Sequence, residues 1–155
     1  MKPNLPTAVV LSSSLIELRY VRPLFNSMVH ITDSRSAMKC LEQVIDKYKV
    51  DLKEHFYVLM LTNSNRLLGI SVVAIGGAST VSVNIREIVQ LALVTNCQGV
   101  IVAHNHPSGQ LMPSISDVQI TKKIKEALLG IDVSLLDHLV FTSEGYTSFA
   151  DNGRL

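Results

Sequence analysis

The chain has 155 residues, of which 47% are hydrophobic and 17% are charged, and its formal net charge is +1. This length suits one domain with a substantial core, and the composition excludes a disordered chain. The near-neutral charge argues against a surface built to hold nucleic acid or anionic lipid.

Several features predict a cytoplasmic protein with no membrane partner. No segment approaches the roughly 20 apolar residues that a membrane-spanning helix needs. The early apolar run Ala8–Leu11 is too short for the core of a signal peptide. The two cysteines, Cys40 and Cys97, are too few for a disulfide framework and are expected to be packed, reduced thiols.

The first part of the chain is predicted to be a leader with one strand, followed by a helix. Residues 1–32 contain Leu15–Tyr20, where apolar and polar residues alternate as in a half-buried strand. Asp33 or Ser34 can cap a helix after it. The apolar positions of this helix recur at helical spacing: Ala37, Leu41, Val44, Ile45 and Tyr48.

The middle of the chain is rich in strand-forming residues. Phe56–Leu61 and Leu67–Ile75 are apolar runs that predict strands buried on both faces of a sheet. The second run ends at Gly76-Gly77, and Thr80–Val83 is a third strand candidate.

A helix and a buried strand follow. Ile85–Thr95 has helical periodicity, and Asn84 with Glu87 three residues later predicts a capping box at its start. Gly99–Ala103 predicts a buried strand that leads directly into His104. Because helices flank this strand on both sides in the sequence, we expect it to be central in the sheet.

The last third predicts one more helix and a hairpin. The helix begins after Ser114 or Ser116 and ends at Gly130. Leu135–Phe141 and Tyr146–Phe149 flank a turn and predict two paired strands. The order of elements predicts a single globular α/β domain with a mixed β-sheet and helices packed on it.

A cluster of metal-binding residue types follows the predicted central strand. In extended chain, residues two apart point the same way, so His104 and His106 can converge on one point. Pro107 and Gly109 then turn the chain, and Asp117 falls in the first turn of the next helix. Two imidazoles and a carboxylate suit zinc, and three protein ligands leave a fourth position for water, as in catalytic sites.

Plainer explanations exist for each of these residues. Asp117 stands three residues after Ser114 and can simply complete a capping box. A histidine at the end of a strand is usually an ordinary hydrogen-bonded residue. On spacing alone, the metal site and the plainer explanations are about equally open.

The spacing of these residues resembles a known metal signature. His104-x-His106, seven residues, Ser114, two residues and Asp117 resemble the JAMM motif of the JAB/MPN metallo-isopeptidases. The middle residue of His-x-His is usually Ser or Thr in the eukaryotic deubiquitinating members, whereas it is Asn105 here.

Longer matches resemble the bacterial RadC-like branch of that family. They are the string His-Asn-His-Pro-Ser-Gly from His104, the pair Asp137-His138 and the closing Tyr146-x-Ser148-Phe149. The resemblance covers about residues 33–154. Full-length members usually carry an N-terminal helix-hairpin-helix region, for which this sequence has no room, so we expect residues 33–155 to be a stand-alone domain of the catalytic type.

The resemblance implies a cytidine-deaminase-like α/β fold and one catalytic zinc per chain, held by His104, His106 and Asp117. It also implies a bound water, a glutamate as general base and a serine that steadies the tetrahedral intermediate. Through the motif, the serine is Ser114.

The glutamate has to be chosen between two candidates. In the family it lies upstream, at the start of an early strand, and Glu54 matches that position. Glu87 is the rival, but its predicted capping role explains it without catalysis, so we favour Glu54. Asn105 and His138 are candidates for residues that support the ligands, and for His138 a buried, hydrogen-bonded role is preferred.

The leading hypothesis is therefore a zinc-dependent hydrolase that acts on a peptide or isopeptide bond, with a protein or peptide as partner. The alternatives are a DNA-repair-associated accessory domain, since the family is linked by name to DNA repair, and a catalytically inert metal-binding interaction module. The charge makes nucleic acid an unlikely strong ligand. The signatures of zinc deaminases, His-x-Glu and Pro-Cys-x-x-Cys, are missing. The oligomeric state stays open.

Overall fold

The computed structural model describes residues 20–76 and 82–155. After a 3-10 turn at Phe25–Ser27, the described elements are α1 (Ser34–Leu41), β1 (His55–Leu61), β2 (Leu67–Ile75), α2 (Ile85–Thr95), β3 (Gly99–Asn105), α3 (Ile115–Leu129), β4 (Ser134–Phe141) and β5 (Tyr146–Ser148). The five strands form one sheet in the order β2-β1-β3-β4-β5. The β3–β4 pair is parallel and the other pairs are antiparallel. The predicted mixed α/β fold is confirmed, and the strand before His104 is central.

The two faces of the sheet have separate apolar cores because side chains alternate along β1 and β3. Every residue of these two strands is buried. On one face, residues such as Val58 and Val102 pack with Ile88 of α2 and Ile124 of α3. The residues that alternate with them pack on the other face, in the core that includes α1. The same alternation sends His104 and Asn105 to opposite faces.

Two predicted elements differ from the structure in extent. The first helix ends at Leu41, and Val44 and Tyr48 are 50% and 90% exposed, so its predicted continuation is wrong. The segment forms turns instead of a helix, and one of them is stabilised by the Asp46 carboxylate, which accepts the Tyr48 N–H at 3.1 Å. β2 has the predicted bounds, but it is an edge strand whose residues are mostly half-buried rather than buried on both faces.

Other predictions fall partly or wholly outside the described residues. The predicted strand Leu15–Tyr20 lies outside the described residues except for Tyr20. Of the strand candidate Thr80–Val83, the described residues 82 and 83 belong to no strand. In the described chain, no helix combines the length and apolar character needed to cross a bilayer. Both cysteines are buried free thiols.

The helix starts agree only in part with the predicted caps. Asn84 caps α2 by accepting the Arg86 N–H at 3.1 Å. No reciprocal bond from Glu87 accompanies it among the described contacts, so the predicted capping box is half right. α3 begins with a complete capping box formed by Ser114 and Asp117.

Truncating the core side of α2 tests the packing that holds this helix on the sheet. Ile88 is fully buried, so Ile88→Ala should lower the free energy of unfolding by about 2–4 kcal/mol through lost burial and a cavity. Leu93→Ala, on the exposed side of the same helix, should change it by less than about 0.5 kcal/mol. Urea unfolding curves measure both, and equal losses would contradict the assigned orientation of α2.

Candidate metal centre

A cavity of about 770 Å³ opens where β3 ends and α3 begins. The antiparallel register pairs Phe56 of β1 with His104 of β3, so Glu54, just before β1, comes to the same edge of the sheet. The cavity wall includes five of the predicted site residues: Glu54, His104, His106, Ser114 and Asp117. Glu87 is not among the described residues that line it.

Nitrogen and oxygen atoms of four side chains converge in this cavity. The two Nε2 atoms of His104 and His106 are 2.9 Å apart. Asp117 approaches both rings, with Oδ1 3.1 Å from His104 and Oδ2 3.4 Å from His106. A carboxylate oxygen of Glu54 and one ring nitrogen of each histidine also lie within 4.8 Å of one another. This is a histidine–histidine–glutamate arrangement that could hold a metal ion, with a second carboxylate in contact.

The orientation of the His106 ring fits a metal ligand. Its Nδ1 lies 2.6 Å from the backbone carbonyl of Gln110. A carbonyl oxygen can only accept, so Nδ1 carries a hydrogen, and in the neutral ring the Nε2 lone pair faces the cavity. Imidazole and carboxylate groups aimed at one point suit borderline divalent cations such as zinc.

Asp117 acts in the helix cap and faces the histidines at the same time. Its Oδ2 accepts hydrogen bonds from the Ser114 N–H at 2.6 Å and from the Ser114 hydroxyl at 2.7 Å. Burial by itself raises the pKa of Asp117, but its contacts with the His104 and His106 rings and the hydrogen bonds from Ser114 outweigh this effect and hold the pKa well below its usual value. The carboxylate is therefore ionised at neutral pH. The same carboxylate thus caps the helix and faces the two histidines, so the capping role does not exclude the metal role.

Glu54 has the opposite electrostatic character. This half-buried carboxyl has a raised pKa because burial disfavours its charge, although His104 and His106 partly oppose the shift. Its backbone carbonyl accepts the N–H of Gly76 at 2.9 Å, which ties it to the end of β2. The cavity thus contains one carboxyl group held ionised and one that is easier to protonate.

Asn105 supports the segment that carries Glu54 rather than the two histidines beside it. Its amide nitrogen donates to the carbonyls of Val50 and Lys53 at 2.7 and 2.8 Å. Its amide oxygen accepts the N–H of His55 at 2.8 Å. The side chain is fully buried on the far face of the sheet, so these bonds fix the backbone on both sides of Glu54.

His138 and Thr121 lie behind the two cavity histidines. His138 Nε2 is 2.8 Å from His104 Nδ1, and His138 Nδ1 is 2.6 Å from the Thr121 hydroxyl. Complete burial holds the pKa of His138 well below its usual value, so the ring is neutral. Thr121 was not predicted from the sequence. Its position four residues after Asp117 on one helix face is the signal that could have drawn attention to it.

Removing the Asn105 amide tests whether it holds the Glu54 segment. Asn105→Leu keeps a similar volume but leaves the Val50 carbonyl and the His55 N–H without their partner, and it leaves the Lys53 carbonyl with only the His55 ring. We expect it to lower the free energy of unfolding by about 2–4 kcal/mol. Asn63→Leu, at an exposed site, serves as the control and should change it by less than about 0.5 kcal/mol. Chemical unfolding that shows no difference between the two variants would refute this role.

The metal-free protein should show a pH-dependent contribution from Asp117 and His106. The hydrogen bond to Asp117 is the main reason that the pKa of His106 is raised. Because the pKa of Asp117 is lower in the folded protein than its unfolded value of about 3.9, Asp117 contributes stability above that pH, and this contribution is lost as pH falls. Because the pKa of His106 is higher in the folded protein than its unfolded value of about 6.5, His106 contributes stability below that pH, and this contribution is lost as pH rises. The stability difference between wild type and Asp117→Asn, measured in chelator, should therefore be largest near about pH 5; a flat difference would contradict the ion pair.

Comparison with known proteins agrees with this geometry. The family described as RadC-like JAB domain matches residues 31–154. A "UPF0758 protein" of Flavobacterium johnsoniae is 42% identical over 123 residues, covering 79% of this chain and 52% of the relative. A protein of the same name from Aeromonas salmonicida is 44% identical over 110 residues, covering 71% of this chain and 50% of the relative. That of Porphyromonas gingivalis is 37% identical over 127 residues, with 81% and 54% covered.

The chain spans about half the length of these curated relatives. The family match supports a metal-dependent, hydrolase-like domain, and the arrangement of Glu54, His104 and His106 provides a possible metal site. The mixed five-stranded sheet is consistent with a JAB/MPN domain. The chain belongs to the RadC-like JAB domain family.

Proposed function

We propose that this domain is a zinc-dependent hydrolase of the JAMM type that cleaves a peptide or isopeptide bond. The observation that carries the proposal is the convergence of two imidazoles, one strongly ionised carboxylate and one more easily protonated carboxyl group in a single open cavity. Pairs of carboxyl groups whose pKa values are pushed apart are typical of sites that divide ligand and acid–base roles.

His104, His106 and Asp117 would hold the zinc. The neutral form of His106 presents a free Nε2 lone pair, and Asp117 is ionised; zinc would take the place of the proton that Asp117 helps His106 to hold. Bound zinc would polarise the scissile carbonyl and bring the pKa of a coordinated water toward neutrality. Three protein ligands leave room for that water and the substrate.

Glu54 is the general base and later the general acid. Its carboxylate takes a proton from the attacking water and returns it to the leaving nitrogen. Burial suits it to both steps, because a raised pKa allows the group to hold the proton between them. The amide of Asn105 keeps the backbone around Glu54 in place during this transfer.

Ser114 is proposed to steady the tetrahedral intermediate with its hydroxyl. That hydroxyl donates to Oδ2 of Asp117, so it must turn toward the substrate oxygen to act. The Ser114 N–H holds the same Oδ2 at 2.6 Å, which keeps Asp117 in position when the hydroxyl turns.

The substrate is proposed to be a protein or peptide rather than nucleic acid. Among the described residues that line the cavity there is no lysine or arginine, and its charged groups are Glu54 and Asp117. A phosphate backbone is held mainly by cationic side chains, so this lining favours a neutral amide substrate over a polyanion. A cytoplasmic location is part of the proposal, and the buried free thiols of Cys40 and Cys97 suit a reducing compartment.

Metal content and turnover together test this function. Elemental analysis of the wild type should find about one zinc per chain, and a His104→Ala, His106→Ala variant should lose it. Glu54→Gln should keep its zinc but lose about 10²- to 10⁴-fold in hydrolysis of a panel of peptide and isopeptide-linked substrates. Glu87→Gln is the matched control and should retain both zinc and activity.

Four outcomes would contradict the proposal. No metal in the wild type, after zinc is offered and the excess removed, would exclude the hydrolase. Zinc loss in Glu54→Gln would make Glu54 a ligand instead of the base. Bound zinc without turnover on any amide substrate would favour the inert metal-binding module, and salt-dependent DNA binding would favour the DNA-repair accessory role.

A further inference from the structure

A continuous chain of hydrogen bonds runs behind the candidate metal centre and joins three elements of the fold. It starts at His104 Nδ1 on β3 and passes to His138 Nε2 on β4. From His138 Nδ1 it reaches the Thr121 hydroxyl on α3, and this hydroxyl donates to the backbone carbonyl of Asp117. The chain therefore begins at one proposed ligand and ends at another. His104, His138 and Thr121 are all buried.

The direction of every bond in this chain follows from its last member. A carbonyl oxygen only accepts, so the single hydroxyl hydrogen of Thr121 is used on Asp117. The Thr121 oxygen must then accept, which places a hydrogen of the His138 ring on Nδ1. This ring is fully buried, and its described polar contacts are an imidazole and a hydroxyl rather than a carboxylate, so it carries this one hydrogen. His138 Nε2 is left as an acceptor, so His104 donates from Nδ1. The lone pair of His104 then lies on Nε2, the atom that faces Asp117 and His106.

We propose that Thr121 and His138 are positioning residues that fix the tautomer of His104, so that its Nε2 lone pair is always directed at the metal. Ligand histidines commonly donate their second ring nitrogen to a carboxylate or carbonyl. Here the acceptor is a second neutral imidazole, whose own tautomer is set by a threonine one helical turn beyond Asp117.

Packing and hydrogen bonds together hold the His138 ring in one orientation. The Phe149 ring stacks on it with centroids 4.8 Å apart and planes 18° apart. The Phe56 ring meets its edge from another direction at 5.7 Å. A ring rotated by 180° would fill the same space but would place carbon atoms against Thr121 and His104, so the two hydrogen bonds select the observed orientation and only the position of the hydrogen is free to vary.

Removing the Thr121 hydroxyl should reverse the direction of the hydrogen bonds between His138 and His104. In Thr121→Val the shape is kept, but His138 Nδ1 loses its acceptor. The His138 hydrogen is then better placed on Nε2, which makes His104 Nδ1 the acceptor and puts a hydrogen on His104 Nε2. We expect zinc to bind about 10- to 100-fold more weakly, measured by competition with a chromophoric chelator. Thr121→Ser restores the hydroxyl and should bind within about threefold of the wild type.

Thr95 supplies a matched control elsewhere in the fold. It is also a buried helical threonine, and its hydroxyl donates to the Leu91 carbonyl four residues earlier at 2.7 Å, but no imidazole is attached to it. Thr95→Val should lose similar thermal stability to Thr121→Val while keeping full zinc affinity. Equal zinc affinity in Thr121→Val and Thr95→Val would overturn the proposal.

Nitrogen-15 NMR of the histidine rings gives a readout that does not depend on activity. Wild-type protein titrated with zinc should show hydrogen on Nδ1 of both His104 and His138, and a wild-type His138 with its hydrogen on Nε2 would refute the inference. His138→Gln, which can still accept and donate, should retain more zinc affinity than His138→Leu; the reverse order would refute it as well. The inference rests on the proposed metal site. A wild-type protein that binds no zinc would reject both the metal site and this inference. A wild-type protein that binds zinc with an affinity that Thr121→Val leaves unchanged would reject this inference alone.

Discussion

The antiparallel pairing of β1 with β3 sets the position of the chemical groups in this domain. Phe56 lies opposite His104, so Glu54, two residues before Phe56, reaches the end of β3 where the two proposed histidine ligands lie. Because side chains alternate along β3, neighbouring residues at its end point to opposite faces of the sheet. His104 faces the cavity, while Asn105 turns to the far face and binds the backbone around Glu54. One short strand end therefore orients both a proposed ligand and the proposed base.

The start of α3 adds the second constraint. The capping box fixes Asp117 by two bonds from Ser114, and the helix N-terminus favours a negative charge there. A carboxylate that is already immobilised and ionised loses little freedom when it binds a cation. Thr121, on the next turn, ties the same helix to His138 and through it to His104. Stability of the helix start and geometry of the metal centre thus depend on the same few bonds.

Local periodicity accounts for what could be predicted from the sequence. Strand alternation was enough to bring His104 and His106 together, and the spacing to Asp117 was enough to place it in the first helical turn. The edge position of β2 and the early end of α1 depend on which elements pack beside them, and no local pattern records this. The same limit applies to Asn105, whose partners are 50 or more residues away. The hydrogen-bond chain through Thr121 was missed for a related reason, since the spacing of Thr121 from Asp117 does not show that His138 lies beside it.

The departure of Asn105 from the Ser or Thr usual in the eukaryotic members is explained by its contacts. A serine or threonine hydroxyl has one hydrogen and could not donate to both the Val50 and Lys53 carbonyls, whereas an amide can donate twice and still accept from His55. Asparagine therefore fits a segment that loops back over the sheet and must be held at three backbone atoms. Glu54 stands inside that segment, half-buried and held near both histidines without any bond of its own side chain to Asn105 among the described contacts. A base fixed through its backbone keeps its carboxylate free to move a proton, which is what the proposed reaction requires of it.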